Sequence, residues 1–403
     1  MRYKYLDGIR GVASIFIVFS HISQLYLPYL IYGNESLMHS QIENILLKFP
    51  FSLFYNGNAM VHIFIIIGGF VTAMSCLKLE KVVLTKKIVM RYIRLVVPIF
   101  ITTILVYLIM NTVGFSYNSI DSYTFNTNIN VMHGKMSMIT AIKYSFFDIF
   151  VYGDLFTGKI LSYNHVLWTI KIEFISSIIL YTTYRVITNK TSYRIIFLIF
   201  LMYIFPKEYK ELFCTYFIGA IIAELYYNKD KLTLIKKIDN KYTRFIVGFF
   251  SIVLIAFPYV NKSFLYEHFN NAAMDKIFAN IINSNFFGVT DKGSLLHLIG
   301  VVLFVAVVIN SETMKKIFSQ KYILKLGKLS YPIYLLHWTL LLFIVPILLN
   351  IFKNEISYIE NLSVSLFIFF LILLIASMLL KKVSDNIVSA AKGKVELLYK
   401  KSK

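Results

Sequence analysis

Tyr5-Leu6-Asp7-Gly8-Ile9-Arg10-Gly11, followed by an apolar run that breaks at Ser20-His21, decides how this chain is read. It sets an arginine and a histidine within one membrane helix. Eleven residues at about 100° each make roughly three turns plus 20°, so Arg10 and His21 share a helix face, about 16 Å apart along the axis. The expectation is one group at the membrane edge and the other near its middle. An ionisable side chain at that depth is costly, and function is the ordinary reason for keeping it.

The rest of the chain agrees with a membrane setting. It has 403 residues, of which 58% are hydrophobic and 15% charged, too apolar for an ordinary soluble domain. The expected fold is all-α: a polytopic integral membrane protein of about ten transmembrane helices, forming a single membrane domain over 1–403. Apolar runs fall at 9–31, 52–77, 93–113, 165–187, 194–206, 211–228, 245–260, 294–311, 329–351 and 361–381. A large outer loop is expected at 114–164 and a basic tail at 382–403, suited to anionic membrane lipid. The first span is too long for a cleavable signal and lacks a small-residue cleavage site.

Charge placement orients these spans. Placing both termini in the cytoplasm gives the inner segments a roughly three-to-one excess of basic residues over the outer ones, the asymmetry of the positive-inside rule. The net charge of +20 is then mostly a topological signal. It argues against a nucleic-acid partner, because no compact basic domain gathers the charge. Cys76 and Cys214 fall in or near spans, which implies neither a disulfide framework nor a metal cluster.

Several ionisable residues stand out. Asp7, three residues before Arg10, can meet it at the start of the helix and also suits a helix N-terminus. His21 reads either as a packed histidine bonded to a carbonyl or, as neutral imidazole, a general base. Arg91 and Arg94, in Arg91-Tyr92-Ile93-Arg94-Leu95-Val96-Val97-Pro98, lie on one face. They read as a positive-inside anchor or as a phosphate-binding fork, with Lys86 and Lys87 adding to the field. Glu173 follows Trp168 in Leu167-Trp168-Thr169-Ile170-Lys171-Ile172-Glu173 and needs a partner from another span, with Arg10, Arg94 or a histidine as candidates. Lys171 points to nearly the opposite face.

The ninth span holds Ser330-Tyr331-Pro332-Ile333-Tyr334-Leu335-Leu336-His337. Counting residues places His337 at a depth similar to that of His21 and Glu173. Depth alone does not choose between an enzyme and a proton-coupled carrier. His62 reads as a packing or interfacial histidine, and Gly68-Gly69 beside it as a site of close helix contact. Glu224 reads as snorkelling at a span end. Tyr117, Tyr123, Tyr144, Tyr152 and Tyr163 in the outer loop suit either sugar stacking or an interfacial belt.

Taken together, these segments resemble the acyltransferase 3 family of integral-membrane acyltransferases, over nearly the whole chain and in order. Tyr5–Gly11 with His21 resembles the family's opening LDGxRG element and its arginine–histidine spacing. His62–Phe70 resembles its FFxxSGF segment, with Gly68 where serine is usual. Arg91–Pro98 resembles RxxRxxP, and Leu167–Glu173 resembles LWTxxxE, with Lys171 where proline or a small residue is expected. Ser330–His337 resembles the late SYxxYLxH segment.

The resemblance implies O-acyl transfer, commonly of acetyl, from acetyl-CoA or another acyl-CoA to a hydroxyl of a cell-surface or lipid-linked glycan, at the cell membrane and without a metal. It implies His21 as catalytic base with Glu173 as its partner or that of the arginines. Arg10, Arg91 and Arg94 would hold the donor, and Asp7, Trp168, Tyr334 and His337 would support the substrate or the site. Some family members carry a fused SGNH hydrolase-like domain, and none is expected within these 403 residues. Direct transfer and an acyl-histidine route both stand. The alternative is a secondary transporter of a glycan or of protons, with His21, Glu173 and His337 as relay.

Overall fold

The structure, a computed structural model, describes residues 3–78, 83–114, 137–151, 164–187, 190–205, 210–228, 240–257, 279–284, 286–289, 291–353 and 355–401. Among the described residues the fold is all-α, with no strand. Ten longer helices form the bundle: α1 (Lys4–Tyr26), α2 (Gly57–Leu77), α3 (Leu84–Thr112), α4 (Trp168–Val186), α5 (Thr191–Ile204), α6 (Lys210–Tyr227), α7 (Lys241–Ile255), α8 (Lys292–Asn310), α9 (Lys321–Ile351) and α10 (Tyr358–Lys401). Their starts follow local chemistry. The Asn56 side chain accepts from the backbone N–H of Ala59 at the head of α2, and Asp291 accepts from Ser294 at the head of α8, each satisfying an orphan donor of a first turn.

Each of the ten expected spans holds a helix, but among the described residues seven helices are long and apolar enough to cross a membrane: α1 to α4 and α8 to α10. The shortfall has a physical origin. α5 and α7 have 14 and 15 residues, and so reach about 21–23 Å against a hydrocarbon core of about 30 Å. α6 carries Lys210, Glu211 and Glu224, which dilutes its apolarity.

Two helix pairs are drawn together at glycines. A Cβ on Gly11 of α1 would lie 2.8 Å from the Cα of Gly327 on α9, and one on Gly327 would overlap the carbonyl of Asp7. Gly69 of α2 meets the Tyr216 carbonyl of α6 in the same manner, and Gly219 meets that of Ile66. Such contacts need the absent side chain, and they replace the hydrophobic drive that apolar surroundings withhold. The glycines of the opening motif and of Gly68-Gly69 therefore set helix spacing.

The described ends of the chain share one end of the bundle. Tyr3 packs on Phe70 with ring centroids 5.8 Å apart and lies under the Lys78 ammonium. On the tail, Glu396 stands 4.0 Å from Lys86 near the start of α3. We call this the basic end. Glu224 is not a snorkelling side chain, because it is fully buried and held by Arg194 of α5 through two hydrogen bonds of 2.5 and 3.1 Å. A carboxylate there is tolerable only because a guanidinium meets it in fork geometry.

Residues 137–151, the described part of the expected outer loop, lie against the bundle. Tyr92 donates to the Phe146 carbonyl at 2.6 Å, and Phe150 packs on Tyr92 and Phe174. Tyr144 is buried in this segment, whereas Tyr117, Tyr123, Tyr152 and Tyr163 lie outside the described residues.

Candidate active site

The site begins at the basic end with the first half of α3. Lys87, Arg91 and Arg94 are spaced four and three residues apart, so a helix sets them on one face. With Lys86 of the same helix and Lys392 of α10 they line a cavity of about 470 Å³, closed on one side by Tyr181. Lys87 is anchored, its ammonium donating to the Ser75 hydroxyl at 3.0 Å. Arg94 is exposed at the cavity mouth. Among the described residues no carboxylate lines this cavity.

Arg91 turns inward and donates to Glu173 of α4. The partner of Glu173 is thus Arg91, one of the arginines the resemblance implied, and not the Arg10, Arg94 or histidine that the residues alone suggested. Glu173 also lines a second, much smaller cavity of about 20 Å³, together with Arg10, Phe64, Thr169, Tyr331 and Tyr334. That volume holds about one water. The ion pair therefore stands between the two spaces, its cation facing the larger and its anion the smaller.

Arg10 does not turn to a carboxylate. Its guanidinium lies 5.3 Å from the centre of the Phe64 ring, a cation–π arrangement. Among the described residues Arg10 forms no ion pair, and its buried Nε has no hydrogen-bond partner. Asp7 sits in the first turn of α1, where its charge suits the helix end.

Above Arg10 the contacts continue ring to ring. Phe64 meets Tyr334, with centroids 6.1 Å apart, and the Tyr334 hydroxyl lies 2.9 Å from Thr169 Oγ1 and donates to the Val166 carbonyl. Tyr334 meets His337 at 5.8 Å, and His337 meets His21 at 5.2 Å. His21 then stands edge-on to Trp338 at 4.9 Å, and Trp338 meets the exposed His165 at 5.5 Å. An unbroken line of side chains thus joins Arg10 to a histidine exposed at the opposite end.

The His21 ring is fixed from within its own helix. Its Nδ1 lies 3.2 Å from Gln24 Oε1, one turn along α1. A carbonyl oxygen only accepts, so Nδ1 carries the proton and Nε2 remains basic. His337 is fully buried, with Nδ1 donating to the Ile333 carbonyl at 3.1 Å. Its Nε2 is buried without a hydrogen-bond partner among the described residues.

One depth expectation changes here. His21 and His337 do meet, but Glu173 does not join them. It lies two helical turns below Val166, the residue whose carbonyl Tyr334 reaches, and Tyr334 is itself one turn below His337. Glu173 is therefore about 10 Å or more deeper, in the arginine layer. A Cβ on Gly57, the first residue of α2, would overlap Ser20, so His21 stands level with the start of that helix.

A profile of the acyltransferase domain family matches residues 3–381. The chain belongs to this acyltransferase family. No curated protein and no solved structure matches the chain in the corresponding comparisons. In the acyltransferase, the sequence reading gave no role to Trp338, His165, Gln24 or Lys392. Gln24 was within reach of that reading, since a polar residue three after His21 faces it on a helix. Trp338 and His165 signal nothing alone; only the crossing of α4, α9 and α1 brings them to His21. Trp168 packs on the hydrophobic core at the head of α4, and the tryptophan beside His21 is Trp338.

Proposed function

We propose that this membrane acyltransferase moves an acyl group, acetyl in the simplest case, from coenzyme A to a hydroxyl of a cell-surface or lipid-linked glycan. The supporting observation is the continuous line from the arginine cavity, across Arg91–Glu173 and Arg10, to the His21–His337 pair. A pocket of several hundred Å³ with clustered guanidinium and ammonium groups suits the donor's nucleotide and phosphates. The positive-inside asymmetry supports a cytoplasmic location for that pocket, where acyl-CoA is made. The acceptor arrives from the opposite end, past His165 and Trp338.

The chemistry then follows from proton placement. His21 Nε2 takes the proton of the acceptor hydroxyl as its oxygen bonds to the thioester carbonyl carbon. The carbon–sulfur bond breaks, and the thiolate leaves with the proton that His21 returns. His337 orients the acceptor or the His21 ring through its buried Nε2. For the thioester arm to reach His21, the 20 Å³ space beside Arg10 has to widen, and the side chains that narrow it are Phe64, Tyr331 and Tyr334. Glu173 acts on Arg91 and so positions the donor instead of assisting His21. Family membership favours transfer over the carrier alternative.

The test uses the purified full chain with acyl-CoA and candidate glycans, following free thiol release and ester formation. Transfer lost in His21→Ala while coenzyme A still binds supports the reading. Glycan or proton flux without coenzyme A refutes it.

A further inference from the structure

α10 does not stop at the membrane. It runs unbroken from Tyr358 to Lys401, about 66 Å at 1.5 Å per residue, roughly twice what a span requires. Lys392 and Glu396 lie beyond residue 381, where the family match ends. Yet Lys392 lines the 470 Å³ cavity beside Arg91 and Arg94. One turn further on, the Glu396 carboxylate stands 3.9 Å from Lys392 and 4.0 Å from Lys86 of α3. An anion therefore already sits between two cations drawn from two helices at the cavity's edge.

We infer that the extension of α10 is the remaining wall of the anion cavity, that Lys392 binds a phosphate of a nucleotide thioester there, and that Glu396 is the internal anion this phosphate displaces. The inference rests on the donor reading above and adds a residue to it. Lys392 adds a fifth cation to Lys86, Lys87, Arg91 and Arg94, and does so from a helix the arginine motif does not contain. Glu396 holds Lys86 and Lys392 together while the cavity is empty of donor, and opposes the donor's charge as it enters. The pairs are solvent-exposed, with side chains 41–53% accessible, so each is worth at most about 1 kcal/mol, or roughly fivefold in affinity.

The experiment measures coenzyme A binding to the full chain in nanodiscs of zwitterionic lipid, with melting temperature as the check on folding. Lys392→Glu is expected to weaken binding about tenfold, and Glu396→Gln to tighten it about twofold. Lys394→Glu, with the same charge change on another face of the helix, is expected to leave it unchanged. Equal affinities for Lys392→Glu and Lys394→Glu, with Arg94→Ala still weakened, overturn the role of α10 and leave the donor reading standing. No binding by the unaltered chain removes both. A second arm adds anionic lipid without coenzyme A, and Lys392→Glu losing only that lipid's retention overturns the inference in favour of a headgroup site.

Discussion

Arg91 and Glu173 pair across α3 and α4 with the guanidinium lining the larger cavity and the carboxylate lining the smaller one. The pair thus borders both spaces at once. Its polarity also matters, because an incoming phosphate competes with Glu173 for the same cation. Glu173→Gln leaves Arg91 without its anion and Arg91→Ala leaves Glu173 without its cation. Each single change is expected to cost about 2 kcal/mol in kcat/KM, and the double change little more than either. A double-mutant cycle on transfer checks this, and additive losses would refute a shared role.

Gln24 selects the proton-bearing nitrogen of His21. Gln24→Leu is expected to lower kcat about tenfold with KM for the donor unchanged, because the ring loses its orientation while the donor cavity is untouched. Gln24→Glu should retain most of the activity, since a carboxylate also accepts from Nδ1. An equal loss in both variants would show that Gln24 serves only packing.

Arg194 and Glu224 form a further interior pair, and among the described lining residues it touches neither cavity. Arg194→Ala is expected to reduce stability by about 3–5 kcal/mol through the orphaned carboxylate. The paired replacement Arg194→Met with Glu224→Leu should recover most of it. Thermal unfolding in detergent distinguishes the two, and the folded fraction of each should transfer acyl groups at the unaltered rate.

The glycine contacts give a stability test with an internal control. Gly11→Ala forces the backbones of α1 and α9 apart, where a Cβ would come within 2.8 Å of Gly327 Cα. We expect little folded protein from it. Gly393→Ala, on the same fold with nothing within 4 Å of the added carbon, should be neutral or stabilising by about 1 kcal/mol. Yields by size-exclusion chromatography report both.

What the sequence disclosed follows the period of the helix. Arg10 and His21, or Arg91 and Arg94, lie on single helices, so their shared faces could be counted in advance. Each of the ten apolar segments holds a helix for the same reason. Partners between helices were not countable. Glu173 could meet any cation at its level, and counting residues from the start of each separate helix gives no common origin from which to compare depths across α1, α4 and α9. Arg194–Glu224 escaped notice because a charge near a helix end ordinarily reaches solvent. Lys392 belonged to what read as a simple basic tail, and only the continuity of α10 carries it to the cavity.

The glycine seam between α1 and α9 has a mechanical corollary. Two helices whose main chains touch cannot slide past each other without collision. They also meet again, ring against ring, at His21 and His337. α1 and α9 are therefore pinned to one another at two levels, the glycine seam and the 5.2 Å imidazole contact. α3 and α4 are joined differently, by the Arg91–Glu173 ion pair, the Tyr92–Phe174 ring contact and the Lys87 ammonium over Tyr181, none of which locks main chain to main chain.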